Sequence, residues 1–268
     1  MVVGGTGFLG RHVVARAAGR IAATHRRSAP TSDRAAWHRC DLADGGAAVE
    51  DLIGRLRPRA VVNAAYVQHG DDLDAVTARA PGAIAAACRR AGSRLVHVST
   101  DVVFDGTTDR PYVESDPPSP VHDYGRAKAE AEARVLAAHP DAVVVRTSLL
   151  WGDADDPGPQ VQMTAEPGIT FFDDEFRNPL EVDILAAALL ELTERPEIVG
   201  VLHVAGADTV DRFEFARRVC RLVGVEPEHL SGGPGSVHTA RPSNCPLDSS
   251  RAASLLDTRL RGVREATS

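Results

Sequence analysis

The sequence predicts an α/β fold: a doubly wound parallel sheet with helices on both faces, followed by a small C-terminal lobe. Three observations predict it. Apolar runs of strand length alternate with helix-length segments from residue 2 to residue 146, a pattern that pairs strands in parallel through crossover helices. Gly4, Gly7 and Gly10 stand where the first strand hands over to the first helix. A length of 268 residues, 43% of them hydrophobic, suffices for one large domain or a domain with an appended lobe.

Val2 and Val3 end the first strand, and a helix follows over residues 8–18. Three residues precede Gly4, fewer than the roughly five of an ordinary strand, so the strand is either short or begins upstream. Residues 20–25 form a second strand, 37–40 a third, 49–56 a helix, and 60–65 a buried strand with its exit. Residues 72–90 make a long Ala-rich helix that Pro81-Gly82 should kink or break, because proline removes a donor and crowds the preceding turn. The fifth strand covers 94–99, a long helix 121–138 and the sixth strand 142–146. Right-handed crossovers then give a Rossmann-type order. Residues 111–120, with four prolines, read as a rigid surface loop. After Trp151 the texture changes. Residues 152–167 are rich in Asp, Pro and Gly and read as a loop or mobile cover. A strand (169–172), a helix (182–193), a strand (201–204), a helix (212–223) and an irregular tail follow. The division expected is 1–150 for the sheet domain and 151–268 for the lobe, with some elements returning to the sheet.

A net charge of −7 excludes a generally basic nucleic-acid binder. No apolar run approaches the roughly 20 residues of a membrane span. The chain opens directly into the glycine loop, so no secretory signal is expected. Cys40, Cys88, Cys220 and Cys245 lack metal-site spacing and read as reduced packing residues of a cytoplasmic protein, with no metal.

Glycines at a strand-to-helix turn allow backbone to approach a pyrophosphate, and the helix N-terminus supplies N–H groups and a positive dipole end. This predicts dinucleotide binding by residues 4–10, including Thr6. An acid after the second strand selects NAD by holding the ribose 2′-hydroxyl; this strand ends instead in His25-Arg26-Arg27. Arg26 and Arg27 suit a 2′-phosphate, so NADP(H) is favoured and NAD(H) stays open; a solvated basic turn is the plainer alternative. Asp41-Leu42, ending the third strand, is placed to meet the adenine. A helix cap is the other role for Asp41, and Asp44 could equally serve as one.

Of the 30 basic residues, Lys128 alone is a lysine. Tyr124 and Lys128 stand four apart on one helical face. A tyrosine is a poor acid–base group at neutral pH, and a neighbouring ammonium favours its phenolate. Lysine also reaches ribose hydroxyls, which a broad planar guanidinium does not do from the same place. Ser99-Thr100-Asp101 follows the fifth strand, at the edge where open parallel sheets carry ligands. A hydroxyl there can hold a carbonyl or simply cap a turn.

Together these residues resemble the extended short-chain dehydrogenase/reductases, in particular the dTDP-4-dehydrorhamnose reductase branch. The resemblance rests on residues 4–10 (Gly-Gly-Thr-Gly-Phe-Leu-Gly), 61–66 (Val-Val-Asn-Ala-Ala-Tyr), 96–106 (Val-His-Val-Ser-Thr-Asp-Val-Val-Phe-Asp-Gly), 111–114 (Pro-Tyr-Val-Glu), 124–128 (Tyr-Gly-Arg-Ala-Lys), 146–148 (Arg-Thr-Ser) and 240–248 (Ala-Arg-Pro-Ser-Asn-Cys-Pro-Leu-Asp). It implies a catalytic set of Thr100, Tyr124 and Lys128. It implies cofactor contacts from Gly7, Phe8, Leu9, Asp41, Leu42, Ala64, Ala65 and Tyr66, and sugar contacts from Thr100, Asp101 and Tyr124. The implied activity is NAD(P)H-dependent reduction of a keto group on a nucleotide-activated sugar, and the lobe would bind that substrate. A second copy of the chain is the one protein partner considered. Three features depart from the family's pattern, all on the substrate side: Thr77 replaces a usual Asn, Leu149 a frequent aromatic, and residues 172–179 the usual Asn-Phe and Asp-Gln signatures.

Three rival readings follow. A dehydratase of this family places a Glu where Val102 stands, an epimerase retains NAD, and a non-catalytic NADP-binding regulator, such as the regulatory subunit of methionine adenosyltransferase, has no need of an intact Tyr124 and Lys128.

Overall fold

The computed structural model describes residues 1–19, 21–235 and 241–268. The expectations that touch Arg20 and Ala240 lie outside them. In chain order the strands are β1 (Val2–Val3), β2 (Ile21–His25), β3 (Ala35–Arg39), β4 (Ala60–Asn63), β5 (Arg94–Thr100), β6 (Val143–Thr147), β7 (Leu150–Trp151), β8 (Thr170–Phe172), β9 (Phe176–Arg177), β10 (Leu180–Glu181), β11 (Gly200–His203), β12 (Val210–Asp211) and β13 (Ser231–Gly233). The helices are α1 (Phe8–Arg16), α2 (Ala47–Leu56), α3 (Ala80–Ala91), α4 (Asp123–Ala138), α5 (Pro159–Gln162), α6 (Val182–Thr193), α7 (Arg212–Val219), α8 (Ser250–Leu255) and α9 (Val263–Ala266).

Seven strands form one parallel, Rossmann-type sheet in the order β11-β6-β5-β4-β1-β2-β3. The chain moves outward from β1 to β3, then returns to pair β4 with β1, Val2 opposite Val62 and Val3 opposite Asn63. The order therefore reverses between β1 and β4, where ligands bind in open α/β sheets. Strand β1 ends where the glycine turn begins: Gly4 N–H leaves the ladder for the Thr24 hydroxyl at 2.9 Å.

The helix expected to kink or break at Pro81 is irregular there but continuous. Residues Leu73–Arg79 form a π-helix that runs directly into α3. The i→i−4 partner that Pro81 would clash with is Thr77. Widening the preceding turn relieves that crowding, and Ala80 N–H accordingly bonds Ala75, five residues back. Residues 152–167 are not simply a loop or mobile cover. They contain α5 and a 3₁₀ turn at Met163–Ala165, and Val161 is fully buried with Trp151, Val210, Phe215, Val219 and Val263. The helix expected over 212–223 tightens to 3₁₀ at Cys220–Val223, and the irregular tail contains β13, α8 and α9.

Two compact units are distinguished. One comprises Met1–Ser99, Asp123–Val145 and Ala186–Leu202; the other comprises Thr100–His122, Arg146–Leu185 and His203–Ser268. A single cut after residue 150 does not describe this division. The segments that follow β5, β6 and β11 each contribute to the second unit, so its sequence is dispersed. The first unit's core is aliphatic, built from Val3, Val49, Ile53, Val61, Ile84, Leu95, Val135 and Val144. All four cysteines are buried and reduced. No helix among the described residues is long and apolar enough to cross a membrane.

Candidate active site

In the first unit the glycine loop is shaped for close approach. Gly4 has φ +80°, and a Cβ there would lie 2.8 Å from the Ala65 Cα. A Cβ on Gly10 would run into the Gly4 carbonyl oxygen. The turn closes through Gly7 N–H to Gly4 O (3.1 Å) and Gly5 N–H to Thr24 O (3.0 Å). Helix α1 starts with no side-chain cap on Gly7 and no acid in its first turn. Its N–H groups and dipole thus face outward past exposed Thr6 and Gly7. The loop fits a dinucleotide: glycines let the turn pack backbone against backbone, with no side chain between it and a ligand at Thr6 and Gly7, and the uncapped helix end suits phosphate. Leu9 and Leu42, expected at the cofactor, are buried in the core.

Arg26 is not a free phosphate ligand. Its Nε lies 3.3 Å from Asp41 Oδ2 and its Nη2 2.7 Å from Asp72 Oδ2. Asp41 also accepts from Ala43 N–H at 3.1 Å, as the N-cap of a 3₁₀ turn. That bond and the Arg26 guanidinium hold its carboxyl below the usual range. Asp44 caps the next helix through Ala48 N–H at 2.9 Å, so both aspartates are caps. Arg27 is exposed.

The Tyr124–Lys128 pair lies on the inner face of α4. Lys128 is only 3% exposed. Its Nζ donates to the Val98 carbonyl oxygen at 2.9 Å and sits 5.4 Å from the Tyr66 ring centroid. The rings of Tyr66 and Tyr124 lie 5.8 Å apart, tilted by 49°. Burial pushes the ammonium down from 10.5 to about 8, opposed by Glu132. Glu132 is one turn further along α4, buried, and accepts a hydrogen bond from Ser99 Oγ. Asn63 Nδ2 and His97 Nδ1, side by side on β4 and β5, are 3.1 Å apart. Burial and the Lys128 charge push His97 well below its usual value, so it stays neutral. With Nδ1 accepting from the Asn63 amide, the ring proton is assigned to Nε2.

Sequence reasoning missed Asn63, His97, Ser99 and Glu132 as a polar layer under Lys128. Glu132 carried a signal, its i,i+4 spacing from Lys128, but that spacing usually marks a solvated pair. Thr77, which departs from the family pattern, also has a definite role. Its Oγ donates to Val67 O at 2.8 Å and accepts from Val67 N–H at 2.9 Å, which fixes the exit of β4 next to Tyr66. Thr77→Val strips both bonds from half-buried backbone and is expected to cost about 1–2 kcal/mol. A lowered urea midpoint with an unchanged slope measures this.

In the second unit Thr100 caps the 3₁₀ turn Asp101–Val103, accepting from Val102 N–H at 3.4 Å and donating to Asp101 Oδ1 at 3.2 Å. A carbonyl ligand would have to redirect that proton from Asp101. Asp101 is buried, accepts from Ser148 Oγ at 2.6 Å and lies 3.6 Å from Arg177 Nε. Burial raises its carboxyl above the usual range against these partners.

Residues of the 96–106, 111–114 and 240–248 segments that carry the resemblance are structural staples here. Tyr112 stacks on Phe104 at 3.9 Å, and its hydroxyl donates to Asp105 (2.8 Å) and accepts from Gly106 N–H (3.0 Å). Asn244 N–H and Ser243 Oγ both donate to the Gly106 carbonyl at 3.2 Å, and Leu247 N–H donates to Asn178 Oδ1 at 2.8 Å.

Comparison with known proteins agrees with this reading of fold and motif. The family described as RmlD substrate binding domain matches residues 1–268. The dTDP-4-dehydrorhamnose reductase of Mycolicibacterium smegmatis is 36% identical, over 99% of this chain and 83% of that protein. The methionine adenosyltransferase 2 subunit beta of Bos taurus is 28% identical, over 95% and 81%. A crystal structure of a hypothetical dTDP-4-dehydrorhamnose reductase from Sulfolobus tokodaii superposes with a TM-score of 0.80 at 28% identity, covering 97% of this chain and 96% of that one. The chain belongs to the RmlD family of the short-chain dehydrogenase/reductases.

Proposed function

We propose that this chain is an NAD(P)H-dependent reductase acting on a keto group of a nucleotide-activated sugar. One observation carries the reading: the single lysine of the chain is buried as an ammonium, one helical turn from Tyr124 and beneath Tyr66. Burying a charge is costly and is retained where chemistry needs it.

A bound nicotinamide supplies hydride to the keto carbon. Tyr124 gives its phenolic proton to the keto oxygen. The Lys128 ammonium favours the phenolate left behind. One Nζ donor is committed to Val98 O; the others would hold the ribose hydroxyls of a bound cofactor. Thr100 bonds the keto oxygen and Asp101 holds the sugar. The test is nicotinamide oxidation with a panel of dTDP-4-keto-6-deoxy sugars, run beside a cofactor titration. Turnover of at least one sugar supports the reading; cofactor binding without turnover of any would replace it with the regulator.

Cofactor preference follows from the same charges. Arg26 and Arg27 favour a 2′-phosphate, so NADPH binds more tightly than NADH. Asp41 and Asp72 share Arg26, so the advantage is small and sensitive to salt. Arg26→Ala with Arg27→Ala narrows the gap, whereas Asp72→Asn widens it. Dissociation constants for both cofactors at two salt concentrations check this; equal constants, unchanged in the double variant, leave the arginines as a solvated turn.

A further inference from the structure

The stripe that carries Tyr124 and Lys128 continues along α4. Tyr124, Lys128 and Glu132 follow one another at four-residue steps and share one helical face. Two consecutive residues of β5 meet that face. The Val98 carbonyl oxygen accepts from Lys128 Nζ at 2.9 Å, and Ser99 Oγ donates to Glu132 Oε1. Lys128, Ser99 and Glu132 are each 3% exposed. A helix held at two points one turn apart is fixed in both roll and height against the strand. The Ser99–Glu132 contact therefore sets the place of the ammonium as well as that of the carboxylate.

The same contact has an electrostatic side. An ammonium and a carboxylate withdrawn from water are each expensive to bury alone. The groups around Lys128 leave one that can balance its charge. From β5, His97 is held neutral by burial and by Lys128 itself. From the exit of β4, burial pushes the Tyr66 hydroxyl up, so it keeps its proton, and Asn63 carries no charge. On α4, Tyr124 is the group that the lysine serves. The other acids of α4 are engaged at the surface, Asp123 with Arg126 and Glu130 with Arg134. Glu132 remains, and among the described residues it is the one that favours the charged lysine against burial. Ser99 gives its carboxylate a neutral donor, which supports the negative charge without cancelling it.

We propose that Glu132 is a positioning residue of the reductase: anchored by Ser99, it is the buried counter-charge that keeps Lys128 an ammonium beside Tyr124 near neutral pH. Without it the lysine would lose its proton where the reaction needs the charge, and the phenolate left by proton transfer would lose its support. The consequence for turnover rests on the reductase reading; the pairing itself does not.

The single lysine of the chain makes the test direct. Isotope-labelled lysine gives one Cε resonance, and its shift against pH reports Lys128 alone. In the wild type the inflection should fall at about 8. Glu132→Gln keeps the size of the side chain and an oxygen for Ser99, and removes the charge. Its inflection should move down by about one pH unit or more. The alkaline limb of the rate profile should move with it, making turnover about tenfold slower on the alkaline side and restoring it as the pH falls below the new inflection. Glu132→Asp, which keeps the charge but withdraws it by one methylene, should show a smaller step in the same direction. A purely structural role would lower the rate equally at every pH and leave the resonance in place. That result in a folded Glu132→Gln protein overturns the proposal. If that variant does not fold, the Asp variant decides: a downward step supports the pairing and a native inflection removes it. A moved inflection in a protein that reduces no sugar keeps the pairing and sinks the reductase reading. Sugar reduction with an unmoved inflection does the reverse.

Discussion

Tyr124→Phe is expected to lower kcat by about 10²–10⁴-fold, the usual worth of a positioned general acid, with little change in cofactor affinity. The Phe ring keeps its place against Tyr66, 5.8 Å away in the native protein, and only the transferable proton is lost. Steady-state rates and a separate cofactor titration give the two numbers. A variant that turns over at near-native rate would remove Tyr124 from the chemistry, because no packing argument could hide a missing proton donor.

Lys128→Arg is expected to reduce the rate by about 10²-fold or more, as loss of one preorganised donor commonly does, and to weaken the cofactor as well. Charge is conserved, but a planar fork cannot replace the short ammonium that meets Val98 O at 2.9 Å under the Tyr66 ring. The pH profile gives an independent readout. Lys128 titrates at about 8 in the folded chain, so the native rate should fall as pH rises through 8. That limb should vanish in the Arg variant, which stays charged. Stability reports the same group. The folded value lies below the unfolded 10.5, so between about pH 8 and 10.5 the unfolded chain binds the extra proton and stability rises with pH. The full difference is about 3 kcal/mol at 1.36 kcal/mol per unit. As the chain holds no other lysine, the difference in urea stability between wild type and Lys128→Met across this window isolates it. Parallel curves for the two proteins would show that Lys128 is not a buried cation.

The sequence by itself determined the alternation of strands and helices, the glycine turn and the Tyr124–Lys128 spacing. These are local properties: strand and helix periods, glycines at a turn, and two side chains one helical turn apart each show within about ten residues. What the tertiary structure decided are the encounters between distant segments. Arg26 appeared free of acids along the chain, yet Asp41 and Asp72 come to it from the turn after β3 and from the loop before the π-helix. Glu132, whose spacing from Lys128 is that of an ordinary surface pair, is buried with Ser99 and Lys128. Pro81 promised a kink or a break, and the fold met it with a wider turn in which Ala80 N–H finds Ala75. Glu175, Arg177, Arg212 and Arg241 are spread over 67 positions and meet around one carboxylate. Charge pairing acts through space at a few ångströms and has no period along the chain, which is why the tertiary fold alone revealed it.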